Sequence, residues 1–182
     1  ATQTFTITVE PPPNTGGNNV AIRLNCGGGA YTDANGNIFA ADAYFTGDGT
    51  SLTLSSIANT TSQTLYKSER YGWSNNLAYS IPLPDAGVYN VKLHFAEIYW
   101  TTPGQRIFGV NIEGGPLELT NYDIIADAGS ANSAVIKQFN DITVTDGVMN
   151  IQFTANVNAA KISAIEVLGQ TSGNPPSNTP PT

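Results

Sequence analysis

Between positions 89 and 95 the chain alternates without a break. Tyr89, Val91, Leu93 and Phe95 stand on one side, Asn90, Lys92 and His94 on the other. A two-residue period is that of an extended strand with one face in a core. The same period returns at 4–9, 20–24, 77–81, 106–112, 117–119, 135–144, 148–154 and 161–168. Turn formers such as Asn35-Gly36 and Asp85-Ala86-Gly87 separate these segments. No stretch keeps helical apolar spacing beyond about two turns. Residues 46–50 read as a soft loop, 52–57 as a short strand or single helical turn, and 122–126 as a connecting segment. About nine or ten short strands with regular turns predict an all-β chain, a jelly-roll β-sandwich.

The strands fall within one stretch of the chain. Pro11-Pro12-Pro13-Asn14-Thr15-Gly16-Gly17 begins a linker at 11–19, and 169–182 is a second tract rich in Pro, Thr, Ser and Gly. The expected division is therefore a strand at 1–10, the linker 11–19, a main domain at 20–168 and the linker 169–182. The strand at 1–10 reads as the last strand of a preceding immunoglobulin-like module, or as an edge strand docked on the main domain. A domain between such linkers is expected in a modular extracellular or surface protein, beside other domains of the same chain.

Charge and cysteine content narrow the function. Seven Lys and Arg against fourteen Asp and Glu give a net charge of −7, and the cations are scattered, so neither nucleic acid nor an anionic membrane is an expected partner. One cysteine, Cys26, excludes an internal disulfide and a multi-cysteine zinc site, and reads as a small buried residue at a strand end. The glycines after it lack the Gly-Lys-Ser/Thr of a phosphate loop and read instead as places of φ > 0 or close backbone approach. No 18-residue apolar run is present. Asp33, Asn35, Asn37 and Asp42 offer the oxygen donors that a structural calcium takes, without the glutamate of an EF-hand. No other cofactor is expected.

The stretch 65–106 holds both tryptophans, the only histidine and two of the three arginines. Tyr99 and Trp100 follow the point where alternation breaks. Two adjacent aromatics cannot both enter a core from a regular strand, so this pair belongs to a loop at the rim. A sugar ring presents apolar C–H faces and a hydroxyl edge, which flat aromatics and amide or carboxylate groups match. Tyr44, Tyr71, Trp73, Tyr99 and Trp100 are the candidate faces. Asn158, Asp42 and Glu97 are the candidate edges. Catalysis has little support: His94 lacks a nucleophile-elbow partner, and Glu69 next to Arg70 reads as a structural ion pair.

Several blocks then resemble the malectin family of carbohydrate-binding domains. They are Ile22-Arg23-Leu24-Asn25-Cys26-Gly27-Gly28, Leu65-Tyr66-Lys67-Ser68-Glu69-Arg70-Tyr71 and Leu93-His94-Phe95-Ala96-Glu97-Ile98-Tyr99-Trp100. Arg106-Ile107-Phe108-Gly109-Val110-Asn111-Ile112 and the closing block 161–168 add to them. The resemblance spans about 20–168 and implies a jelly-roll sandwich, no catalysis, and a glucose-type or related oligo- or polysaccharide bound in a cleft between loops. It also implies an extracellular or surface location, of the kind bacterial members occupy. By position it carries binding roles to Tyr71, Tyr99 and Trp100. Asn158 falls near the family's C-terminal aspartate, keeping an acceptor and adding a donor. Tyr44 is offered for an earlier tyrosine in a region that matches poorly. The competing expectation is an adhesion or spacer domain that keeps the fold without binding sugar.

Overall fold

The structure, a computed structural model, describes residues 20–170. The expected strand at 1–10, the linker 11–19 and all of the second linker but Gly169 and Gln170 lie outside the described residues. In chain order the elements are β1 (Ala21–Asn25), β2 (Tyr31–Thr32), β3 (Ile38–Ala41), β4 (Phe45–Thr46) and β5 (Gly49–Leu52). Then come α1 (Gln63–Lys67), β6 (Ser68–Gly72), β7 (Ala78–Pro82), β8 (Gly87–Phe95), β9 (Ile107–Ile112) and β10 (Leu117–Tyr122). The series closes with α2 (Ile124–Ala128), β11 (Val135–Val144), β12 (Val148–Val157), β13 (Ala160–Ile162) and β14 (Ala164–Gly169).

Two sheets form a sandwich. One runs β11-β8-β14-β1-β3-β2, the other β10-β9-β12-β7-β4. Their facing residues make one core. Tyr89, Val91, Leu93 and Phe95 of β8 meet Tyr79 and Ile81 of β7, Phe108 and Val110 of β9, and Met149, Ile151 and Phe153 of β12. All of these are 0–1% exposed. Each such side chain contributes about 1.5–3 kcal/mol by leaving water. Cys26 lies in the same core, and burial pushes its thiol well up, as expected for an inert small residue.

The described residues carry fourteen strands, more than the period alone predicts. The surplus is short: β2 and β4 have two residues each, β13 three, β3 and β5 four. Two to four residues are too few to display a period. Segment 46–50 is not a soft loop, since it spans the end of β4 and the start of β5. Segment 53–57 holds no regular element. The connecting segment contains α2, opened by the Asp123 carboxylate accepting from the Ile125 and Ala126 amides and closed at Gly129 with φ 84°. The closing segment 161–168 is two strands in different sheets. The chain changes sheet at Ser163, whose amide donates to His94 and whose carbonyl accepts from Cys26.

The outer face of the larger sheet carries a polar network beside a second, smaller apolar cluster that includes Phe39, Leu65 and Tyr66, with the His94 ring against those of Phe39 and Tyr66. His94 sits between the Tyr66 hydroxyl (2.8 Å) and Glu166 (3.0 Å), and Glu166 also pairs with Arg23 at 2.7 Å. Burial alone would raise the Glu166 carboxyl. Hydrogen bonds from His94 and Arg23, with the charges of His94 and Lys92, outweigh burial and bring it down to about 2. A lowered folded-state value stabilises above the unfolded value near 4.5 and is lost as pH falls toward about 2. Glu166→Gln should therefore cost about 3 kcal/mol near neutrality. The gap to the unaltered protein should shrink as pH falls below about 4.5 and close only near pH 2, as read by urea melts across that range. A gap independent of pH would remove Glu166 from the acid response.

Candidate functional site

A third, three-stranded sheet runs β13-β6-β5. Its register pairs Ser51 with Glu69, and Gly49 with Tyr71, while Lys161 lies opposite Tyr71. Strand alternation puts Ser51, Glu69 and Tyr71 on one face. That face is the floor of a cleft of about 380 Å³, walled by Trp73, Tyr99, Trp100, Arg106, Asn158 and Ala159.

Gly49 explains how Tyr71 lies over this floor. A Cβ at residue 49 would come within 2.6 Å of the Tyr71 hydroxyl, so only glycine leaves room for the ring. Gly49→Ala should push the Tyr71 ring aside. If Tyr71 contacts ligand, affinity should fall about tenfold while stability changes by under about 1 kcal/mol, by titration and thermal melt on the same sample. The glycine expectation also holds at Gly27. Its φ is 72°, and a Cβ there would overlap the Glu69 carbonyl, so the loop after β1 packs backbone to backbone on β6.

The far wall is built by one carboxylate. Glu97 is 1% exposed, and one of its oxygens accepts from the amides of both Tyr99 (3.0 Å) and Trp100 (3.1 Å). Its other oxygen accepts from Arg106 Nε at 2.6 Å. Two successive amides on one oxygen fix the backbone of the loop after β8. The aromatic rings then stand 4.8 Å apart at 83°, edge to face, as two sides of a corner. Tyr99 is 68% exposed and Trp100 half-buried, so the pair is at the rim and not in the core.

Beneath the cleft lie four charges. Lys161 is fully buried, pairs with Glu69 and donates to the Ala96 carbonyl. Arg106 pairs with Glu97 and donates to the Ala159 carbonyl. Burial would raise the Glu97 carboxyl, but the Lys161 and Arg106 charges outweigh it and hold it below its ordinary value. The two acids and two bases leave the floor neutral overall.

Several candidates thus come together and others do not. Tyr71, Tyr99, Trp100 and Asn158 line one cleft, and Trp73 joins them. Tyr44 is not among the lining residues; it is 53% exposed beside β4, with φ 63°. Asn158 has φ 58°, a left-handed turn position that Asn tolerates, and its amide nitrogen donates to the Gln105 carbonyl. One of its two N–H donors is therefore used inside the protein, and its oxygen accepts no protein hydrogen bond among the described residues. Glu97 and Asp42 do not act as free edges. Asp42 accepts from Tyr79, Gly27 and Arg70. Glu69 pairs with Lys161 and not with its neighbour Arg70, because adjacent strand residues point to opposite faces. Arg70 instead caps the Phe45 ring at 3.5 Å.

Both Asp33 oxygens are used within its own turn, by Asn35 and Asn37. Among the described residues no three His, Cys, Asp or Glu side chains gather in one place. Ser51, Arg106 and Ala159 were not legible as site residues. Ser51 falls between the expected loop at 46–50 and the segment 52–57, and Arg106 and Ala159 reach the cleft only through tertiary contacts.

Comparison with known proteins agrees with this architecture. The model of the malectin domain family matches residues 20–175. Malectin-B of Xenopus laevis is 28% identical over 112 residues, which is 62% of this chain and 39% of that protein. Human malectin is 27% identical over 95 residues, covering 52% of this chain and 31% of its own length. The chain thus spans well under half of these relatives. Among solved structures, the ANXUR1 extracellular domain of Arabidopsis thaliana superposes with a TM-score of 0.69 at 20% identity, over 82% of this chain and 48% of that one. A Bacteroides uniformis beta-glucuronidase does so with 0.72 at 18% identity, over 84% of this chain and 18% of the enzyme. Those two likenesses concern the fold alone. With most of its length matched by the family's model and its motifs in order, the chain belongs to the malectin domain family of non-catalytic, carbohydrate-binding domains.

Proposed function

We propose that this domain binds a glucose-type or related oligo- or polysaccharide in the cleft over β6, as a module of an extracellular or cell-surface protein. The observation that carries the reading is the convergence of Tyr71, Trp73, Tyr99 and Trp100 with Asn158 around one neutral floor. The Tyr99–Trp100 corner suits a pyranose. One ring lies under the C–H face of the sugar while the other borders its edge. The Asn158 oxygen and the Ser51 hydroxyl supply hydrogen bonds to sugar hydroxyls. Glu69 and Arg106 line the cleft but are held by Lys161 and Glu97, so they act as fixed dipoles and not as an acid and base. Glycoside cleavage needs two free carboxyl groups flanking the bond. The carboxylates here are bound to cations.

A glycan array that includes α- and β-glucans and glucose-capped oligosaccharides tests the reading. Binding of glucose-type glycans is the expected result. A folded protein that binds no glycan across the array would sink it and favour the spacer role.

A further inference from the structure

The cleft does not end at β5. That strand is the outermost of its sheet, so its edge is open. Ser51 lines the aromatic cleft and also borders a second groove of about 450 Å³ beyond the edge. The second groove is formed by the alternate residues of the same ribbon, Thr50, Leu52 and Ser68, together with Lys67 and the loop after β1. Its wall is ordered. Asn25 is 2% exposed, donates to the Gly29 carbonyl at 2.8 Å and accepts from the Ser68 hydroxyl at 3.3 Å. Gly29 faces open space.

The chemistry of this groove differs from that of the cleft. Its lining has hydroxyls and backbone but no aromatic ring and no carboxylate. It does have a cation of unusual standing. Of the seven Lys and Arg, Arg23, Arg70, Lys92, Arg106, Lys137 and Lys161 each have a carboxylate within 4.0 Å. Lys67 has none among the described residues, in a chain of net charge −7. An unpaired ammonium in a groove free of carboxylates favours an anion there.

We propose that a bound glycan continues from the aromatic cleft over the edge of β5 into this groove, where Lys67 meets an anionic substituent of the chain, a carboxylate or a sulfate ester. The inference rests on the sugar-site reading above. It makes the ligand an internal segment of an acidic chain and not a neutral disaccharide end.

The probes are gluco-oligosaccharides of two to five units, the same ladder oxidised at C6 to carboxylates, and a 6-O-sulfated ladder. Each is titrated into the unaltered domain, Lys67→Gln and Gly29→Trp, at low and high salt. The unaltered domain should bind the longer anionic members about three- to tenfold more tightly than their neutral counterparts, with the preference fading in salt. Whichever anionic ladder shows the preference identifies the substituent. Lys67→Gln should abolish the preference, and Gly29→Trp should abolish the gain with length. Both should leave the neutral disaccharide unchanged, which shows that the fold and the aromatic cleft are intact. Disaccharide binding without any gain from length or charge overturns this proposal alone, as does a preference that survives Lys67→Gln. Silence toward every member of every ladder overturns the sugar-site reading and this proposal with it.

Discussion

Replacing Lys161 by Met should cost about 3–5 kcal/mol of folding stability, the largest loss expected from any single change to the cleft. The side chain is 0% exposed, and its ammonium is the partner of the buried Glu69 carboxylate. Met fills similar space, so little of the loss comes from packing. The cost is that of leaving an anion in the interior without its cation, while Glu97 keeps Arg106. A loss of this size is a large share of the roughly 5–15 kcal/mol that holds a domain folded. The measurement is urea unfolding of Lys161→Met, Glu69→Gln and the double variant. The double variant should recover much of the loss, since it removes both charges together. A cost below about 1 kcal/mol for Lys161→Met, or additive losses in the double variant, would show that water screens the pair.

The second large effect is on binding. Tyr99→Ala with Trp100→Ala should lower sugar affinity by about 1.5–3 kcal/mol, roughly ten- to a hundredfold, and leave the melting temperature nearly unchanged. The rings project from a loop whose backbone is held by Glu97, and that carboxylate bonds the amides of Tyr99 and Trp100 and not their rings. Removing both rings therefore leaves the loop anchored. Isothermal titration with a glucose-containing oligosaccharide, beside a thermal melt, separates the two readouts. Binding that survives the double change would place the sugar elsewhere on the domain. A protein that loses binding only because it unfolds would show that the rings support the fold.

These expectations draw unequally on the sequence and the structure. Period-two alternation at 89–95 marks β8 because a strand covered on one face must alternate. All four residues on the apolar side of that run, Tyr89, Val91, Leu93 and Phe95, are indeed fully buried. The break in alternation after Phe95 likewise marks the rim loop, since adjacent residues on extended backbone cannot share a face. Tyr99 and Trp100 were legible for that reason, and Asn158 and Tyr71 through their place in family motifs.

What alternation could not show is which neighbour a side chain chooses. Glu69 is adjacent to Arg70 in the chain, yet across the sheet it faces Lys161, 92 positions later. Glu97 looks like a free hydroxyl partner in sequence, but a tight turn folds two amides and Arg106 onto it. Ser51 and Gly49 lie in a four-residue strand too short to carry a period, and their role exists only in register with Glu69 and Tyr71.

The amino-acid sequence by itself determined the all-β class, the span of the principal strands and the identity of the rim aromatics. These follow from local backbone geometry and from the separation of apolar and polar side chains, which each short segment expresses alone. Only the tertiary structure decided how the floor of the cleft is charged, which acids are already bound to bases, and that a second groove opens beyond β5. Those features depend on cross-strand register and on contacts between distant segments. A buried charge takes the partner that the fold brings within reach, and sequence proximity does not set that distance.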